Sequence, residues 1–141
     1  MVRELMQGES AVAAEALLEL RGHHGTVEAL TARIDAQRPD GYRVVASLEG
    51  GTAAAVAGFR IVENTAWGRF LYVDDLVTRA DMRGRGHAGA VMAWVEQEAV
   101  RQGCDEVHLD SGVGPEREDA HRFYFHRGMR ITSYHFARSI G

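Results

Sequence analysis

Lysine is missing from the chain. All 16 basic residues are arginines, which excludes Schiff-base chemistry and lysine nucleophiles on a side chain. Cysteine is nearly missing as well. Cys104 is the single thiol, so no disulfide can form within the chain, which agrees with a reducing compartment and an expected cytoplasmic location. No apolar run is long enough to span a bilayer, and "MVRELMQGES" at the start has no signal-peptide core, so no membrane role is expected. Positive charge is in deficit: the formal net charge is -4, which argues against a sequence-independent nucleic-acid binder. Internal repeats, low-complexity tracts and long blocks of like charge are absent too.

What remains is an ordinary globular composition. The 141 residues are 45% hydrophobic, enough for one domain over 1–141 with its own core. Residues 2–6 fit a short edge strand. Val12, Ala16, Leu17 and Leu20 recur at helical spacing up to Gly22. Thr26 suits a second N-cap, with Val27, Leu30 and Ile34 on one face and Pro39 closing the segment. The pattern then turns to strands. Two β-type runs flank Glu49-Gly50-Gly51-Thr52, and a third follows the turn residues 64–68. Beyond Gly86, a helix with Ala88, Val91, Met92, Val95 and Ala99 on one face runs to Gly103. A strand in "EVHLDSGV", a shorter helix in "REDAHRFYFHRG" and a last strand in "MRITSYHFAR" complete the order. The strand–helix–strand step across 70–111 predicts a right-handed crossover between parallel strands. The expected class is a mixed α/β (α+β) sheet in one layered domain.

The start of the long helix is unusual. In "RADMRGRGHAGA", cations alternate with tiny residues where a Ser or Asp cap would be usual. The first N–H groups of a helix lack partners and carry partial positive charge, so they attract anions. Gly84, Gly86 and Gly89 let a ligand approach the backbone, and Arg83 and Arg85 add full charges. Such a knot suits a pyrophosphate. It lacks the Lys-Ser/Thr pair of a P-loop, and no alternating βαβ pattern follows it.

Arg83-Gly84-Arg85-Gly86-His87-Ala88 resembles the Arg/Gln-x-x-Gly-x-Gly/Ala acyl-CoA signature of the GCN5-related N-acetyltransferases (GNAT). "AHRFYFHRGM" is similar to the second signature of that family, an Ala-x-x-Phe-Tyr segment followed by Gly and a large apolar residue. The order and spacing of the two agree with the family, and the resemblance extends over essentially the whole chain. It implies a mostly antiparallel sheet of six to seven strands flanked by about four helices and splayed between the fourth and fifth strands.

The resemblance also implies a chemistry: direct transfer of an acetyl group from acetyl-CoA to a primary amine, in a ternary complex and without a covalent enzyme intermediate. The backbone of Leu76, Val77 and Thr78 should pair with the pantetheine arm. The N–H groups of Arg83, Gly84, Arg85, Gly86, His87 and Ala88, with Gly89, should hold the pyrophosphate. Tyr124 matches the tyrosine that protonates the departing thiolate, a reasonable transfer between a phenol and a thiol of roughly similar acidity. Asp74 and Asp75 stand where the family has a carboxylate base. Strand alternation puts them on opposite faces unless a bulge intervenes. Asp74 is preferred, since it shares parity with Tyr72 and Thr78. Arg117 replaces an Asn that often steadies the pantetheine. Asp110 and Ser111 are candidates to line the acceptor side.

The first two helices, the turn near Trp67 and the last strands should set specificity. Their Glu15, Glu19, Glu28 and Asp35 suggest a cationic or amine-bearing small molecule rather than a protein. A homodimer is expected, as is common in the family. The rival expectation is an acyl-CoA-binding module without catalysis. The 7 histidines show no ligand spacing, His121 and His126 being five apart, and His108 and His135 are placed on adjacent strands. Cys104 has no evident catalytic partner, and Trp94 fits helix packing.

Overall fold

The computed structural model describes residues 1–141. It contains strand β1 (Val2–Leu5), helices α1 (Ser10–Leu20) and α2 (Val27–Gln37), strands β2 (Arg43–Glu49), β3 (Thr52–Asn64) and β4 (Gly68–Thr78), helix α3 (His87–Arg101), strand β5 (Glu106–Leu109) and helix α4 (Glu118–His126). The strands form one sheet in the order β1-β2-β3-β4-β5. Pairing from β1 through β4 is antiparallel. The sheet therefore has five strands, not the six to seven expected, while the four helices match expectation. No helix is long and apolar enough to cross a membrane.

Local chemistry accounts for the boundaries. The Thr26 hydroxyl accepts the Ala29 N–H at 3.1 Å and caps α2. Gly103 (φ 72°) and Gly128 (φ 81°) end α3 and α4 in left-handed turns. In both, paired bonds close the end, Cys104 N–H to Ala99 O (2.8 Å) with Gly103 N–H to Val100 O, and Met129 N–H to Tyr124 O (3.1 Å) with Gly128 N–H to Phe125 O. The β2–β3 turn falls at Gly50-Gly51, as the sequence predicts.

Two compact units divide the chain, Met1–His108 and Leu109–Gly141. In the first, α1 and α2 cover one face of the sheet. Leu5, Leu17, Leu30, Ile34, Tyr42, Val44, Ala46 and Val56 form that core. Ala13, Ala14 and Ala16 of α1 and Ala53, Ala54, Ala55 and Ala57 of β3 are buried, so backbones approach closely. Alternation along β2 turns Val45 and Ser47 to the opposite face. There α3 packs with Val91, Met92, Val95 and Ala99 buried, and Trp94 lies 5.8 Å from Phe59 between ring centres.

In the second unit, α4 starts with Glu118 and Asp119, which suit the positive end of a helix. The expected final strand does not form. Residues 130–141 carry no helix or strand, and all are exposed. Placing His108 and His135 on adjacent strands fails with it. The physical reason is that a strand exists only through its ladder partner, and no ladder reaches this segment.

Candidate active site

Strict alternation along β4 would separate Asp74 from Asp75. The register shows otherwise. Gly58 of β3 stands opposite Asp75, and the next residue, Phe59, stands opposite Val73. Asp74 is the extra residue of a β-bulge. The bulge resets the side-chain alternation, and both aspartates line one cavity of about 410 Å³ together with Tyr72. One aspartate per face is expected of a regular strand, and the bulge is the exception that the expectation allowed.

Each carboxylate is held by side chains from the α1–α2 half of the chain or from β3. Arg60 donates to both oxygens of Asp74, with its closest contact at 2.8 Å, and passes a further N–H to Gln37 at 2.9 Å. Asp75 accepts from Arg21 Nε at 2.8 Å and from the Tyr42 hydroxyl at 2.7 Å. Arg21 also donates to the Asp74 carbonyl. Tyr42 is core-buried, and its ring lies flush on Gly58. A Cβ built there would come within 1.8 Å of the hydroxyl oxygen. That close approach is what a glycine inside a strand run signifies here.

These environments act on the acids. Burial lifts the Asp74 carboxyl above its ordinary value, and Arg60 pulls against that without cancelling it. Burial first, and then the neighbouring Asp75 charge, hold the Tyr42 phenol far above its normal range. Tyr42 is therefore a fixed donor. Asp74 is an ion pair kept short of full stabilisation.

The remaining cavity wall comes from α1, α2 and the 3₁₀ turn Gly22–His24 between them. Leu17, Leu30 and Ile34 supply apolar surface. Arg21, His23, His24 and Arg33 supply nitrogen donors. The acidic residues expected to set specificity are not on this wall. Glu19 accepts the Ala80 N–H, Asp35 accepts from Ser10 and Arg38, and Glu15 and Glu28 are exposed elsewhere.

On β4, Leu76, Val77 and Thr78 pair with Ala57, Val56 and Ala55 of β3. Past Thr78 the chain makes a 3₁₀ turn, Ala80–Met82, and enters the glycine-rich knot. Gly84 (φ 77°) and Gly86 (φ 83°) take left-handed conformations. Gly86 is the N-cap of α3, and no side chain caps it. The N–H groups that follow, including those of His87, Ala88 and Gly89, thus open the helix without a protein acceptor at the cap.

The side chains of the knot differ from one another. Glu49, in the β2–β3 hairpin, accepts from Arg85 at 2.8 Å and from His87 Nε2. His87 Nδ1 meets the Ser47 hydroxyl at 2.7 Å. A carboxylate can only accept, so Nε2 carries hydrogen, and in the neutral ring Nδ1 accepts from Ser47. His87 and then Arg85 hold the Glu49 carboxyl below the usual range. Arg83 has no such partner and is exposed.

Tyr124 belongs to the second unit, midway along α4 and half-buried, with the Phe123 ring edge-on at 5.7 Å. Burial raises its phenol above the ordinary value, while Arg117 pulls it down. Arg117 folds against Gly112. Asp110 is exposed, 3.6 Å from His135, and Ser111 is half-buried. All residues lining the cavity lie in the first unit, so neither Asp110 nor Ser111 is among them. Trp67 stacks on His108 at 4.0 Å and meets Phe70 edge-on. Cys104 is half-buried, and burial raises its thiol. No group of three His, Cys, Asp or Glu residues stands close enough to hold a metal ion.

Sequence reasoning missed Arg21, Gln37, Tyr42, Gly58, Arg60 and Glu49. Gly58 alone left a signal, a glycine interrupting a β-type run. The others are ordinary polar residues whose meaning comes from a partner 14 or more positions away.

Known proteins resemble this chain in sequence and in fold. The profile of the acetyltransferase (GNAT) family matches residues 12–129. An uncharacterized N-acetyltransferase of Bacillus subtilis is 30% identical over 116 residues, 81% of this chain and 80% of that protein. An aminoalkylphosphonate N-acetyltransferase of Salmonella typhimurium is 31% identical over 68 residues, 48% of this chain, and the match spans 43% of that relative. Among solved structures, a ribosomal-protein-alanine N-acetyltransferase from Brucella melitensis superposes with a TM-score of 0.85 at 16% identity, covering 99% of each chain. An aminoglycoside N-acetyltransferase in complex with CoA superposes with a TM-score of 0.83 at 19% identity, covering 99% of this chain and 93% of its own.

Proposed function

The chain belongs to the acetyltransferase (GNAT) family, and from that premise we propose that it moves the acetyl group of acetyl-CoA directly to a primary amine of a small molecule. One observation carries this reading most. The bulge at Asp74 gathers two carboxylates on a cavity in the same unit as an uncapped, glycine-rich, cationic helix start. The first feature suits an amine and the second a diphosphate.

The knot fits the phosphates of CoA on three counts: two left-handed glycines, no side-chain cap on α3, and an unpartnered Arg83. Backbone N–H groups from Arg83 to Gly89 would bind them. Leu76, Val77 and Thr78 would offer the strand edge not paired with β3 to the pantetheine arm. The acceptor arrives as an ammonium and loses a proton to Asp74, directly or through water. Asp75, fixed by Arg21 and Tyr42, remains the alternative base. The amine nitrogen then attacks the thioester carbonyl. The N–C bond forms, the C–S bond breaks, the thiolate takes a proton from Tyr124, and the proton shed by the new amide nitrogen restores the phenol. That last role rests on the Ala-x-x-Phe-Tyr resemblance and on the chemistry of a phenol beside a thiolate.

The test is thiol release from acetyl-CoA over a panel of small amines. Transfer should be detected, and Tyr124→Phe should slow it by about a hundredfold or more, as loss of a general acid does. Tight CoA binding with no acetylated amine would favour a non-catalytic acyl-CoA-binding module instead. An unchanged rate in Tyr124→Phe would remove Tyr124 from the reaction. We further read residues 1–141 as one acetyltransferase domain working in the cytoplasm, which the single free Cys104 supports, and as one half of a homodimer.

A further inference from the structure

The charges around the acceptor cavity do not balance. Almost every arginine in Met1–His108 is engaged: Arg21 with Asp75, Arg60 with Asp74, Arg38 with Asp35, Arg43 with Glu4 and Glu98, Arg85 with Glu49. Arg3, Arg69, Arg79 and Arg101 also have acceptors. Two arginines of this unit have no acceptor, Arg83 and Arg33. Arg83 lies in the anion-binding knot. Arg33 lines the cavity that holds Asp74 and Asp75.

The position of Arg33 is well defined. Leu30, Arg33, Ile34 and Gln37 fall at i, i+3, i+4 and i+7 on α2, one face of the helix. Leu30 and Ile34 are buried, which fixes that face against the core. Gln37 accepts from Arg60, which in turn holds Asp74. Arg33 is thus one turn, about 6 Å along the helix axis, from the residue that reaches the candidate base. His23 and His24, their rings 4.3 Å apart, add imidazole nitrogens to the same cavity.

We propose that Arg33, with His23 and His24, forms a subsite for an oxyanion carried by the acceptor, so that the acceptor is a small zwitterion with a primary amine and a carboxylate, phosphonate or phosphate a short spacer away. An exposed guanidinium with no internal acceptor is free to form the forked, charge-assisted pair that such groups accept. The amine end meets Asp74 and the anionic end meets Arg33. A polycation meets the same guanidinium as a repulsive charge, so aminoglycosides and polyamines are disfavoured. The inference rests on the acetyl-transfer reading above and narrows its substrate.

Four amines built on the same two-carbon spacer separate the cases: β-alanine, aminoethylphosphonate, ethanolamine and ethylenediamine. Acetylation is followed by release of the CoA thiol. The two anionic amines should exceed ethanolamine in kcat/KM by at least about tenfold, and ethylenediamine should be poorest. The order of the first two tells which oxyanion fits. Arg33→Ala should raise KM for the anionic amines by about tenfold and leave KM for acetyl-CoA and for ethanolamine where they were. Arg33→Lys should keep the preference, and Arg33→Glu should reverse it toward ethylenediamine. Equal use of all four amines, or an equal loss on all four in Arg33→Ala, overturns the subsite and leaves acetyl transfer standing. Acetyl-CoA binding without transfer to any amine overturns both.

Discussion

Asp74 sits between two opposing influences. Burial disfavours its charge, and the forked bond from Arg60 favours it. Burial prevails, so the carboxyl titrates above the ordinary aspartate value of 3.8. The sign follows for both stability and rate. Above its raised pKa the ionised group is carried at a cost to folding, and that cost is relieved as the pH falls. As a base, however, Asp74 must be ionised, so kcat/KM should fall with decreasing pH through that same pKa. Replacing Arg60 with Met leaves burial unopposed. The acid limb of the kcat/KM profile should then move to higher pH, and in Asp74→Asn the limb should vanish with most of the rate. An acid limb that stays in place in both variants would assign the proton transfer to Asp75 or another group.

At the scale of elements, β4 and α3 each depart from regularity where the chemistry is proposed. The β4 bulge is seated by Gly58, whose missing side chain gives Tyr42 its place and so positions the donor to Asp75. The start of α3 has no side-chain cap, and under the proposal its N–H groups meet the phosphates of CoA. Gly86→Glu tests that element. It forces a side chain into a left-handed residue, at a cost of roughly 1–2 kcal/mol, and adds a negative charge where a diphosphate is expected. Calorimetry should show CoA affinity reduced by at least about tenfold, with a circular dichroism spectrum like that of the parent. Unchanged affinity would remove the knot from the CoA site.

For the whole molecule, the exposed C-terminal segment is the feature that a lone chain does not explain. Ile131, Tyr134, Phe136 and Ile140 are between 72% and 91% exposed, an apolar grouping of the kind that marks contact surfaces. It supports the proposed homodimer. Light scattering should give twice the chain mass for residues 1–141, and a chain ending at Met129 should run at the single mass. A full-length chain that stays monomeric at high micromolar concentration would end the dimer proposal.

Much of the fold was legible in the sequence because it is local. Apolar spacing places α1, α2 and α3, Thr26 caps α2, glycines end α3 and α4, and Gly50-Gly51 turns the first hairpin. The glycine–arginine knot was legible for the same reason, since a helix start and its glycines are neighbours in the chain. The sheet count was not, because the pattern in residues 130–141 could not say whether a ladder partner exists. Nor could alternation alone place Asp74 and Asp75 together. That took a one-residue offset between β3 and β4, a property of two strands at once. The charge of the cavity was hidden in the same way. Glu15, Glu19, Glu28 and Asp35 counted toward an acidic wall in sequence, yet the fold spends two of them on internal hydrogen bonds, leaves the others elsewhere on the surface, and puts Arg33 on the cavity instead. By itself the sequence determined the glycine-rich, cationic, uncapped start of α3 to which the proposal assigns the donor, because a helix start is built from a few consecutive residues. Only the tertiary structure decided the charge of the cavity proposed for the acceptor, because that charge comes from the turn after α1, from α2, β3 and β4, and pairing across those elements sets which groups remain free.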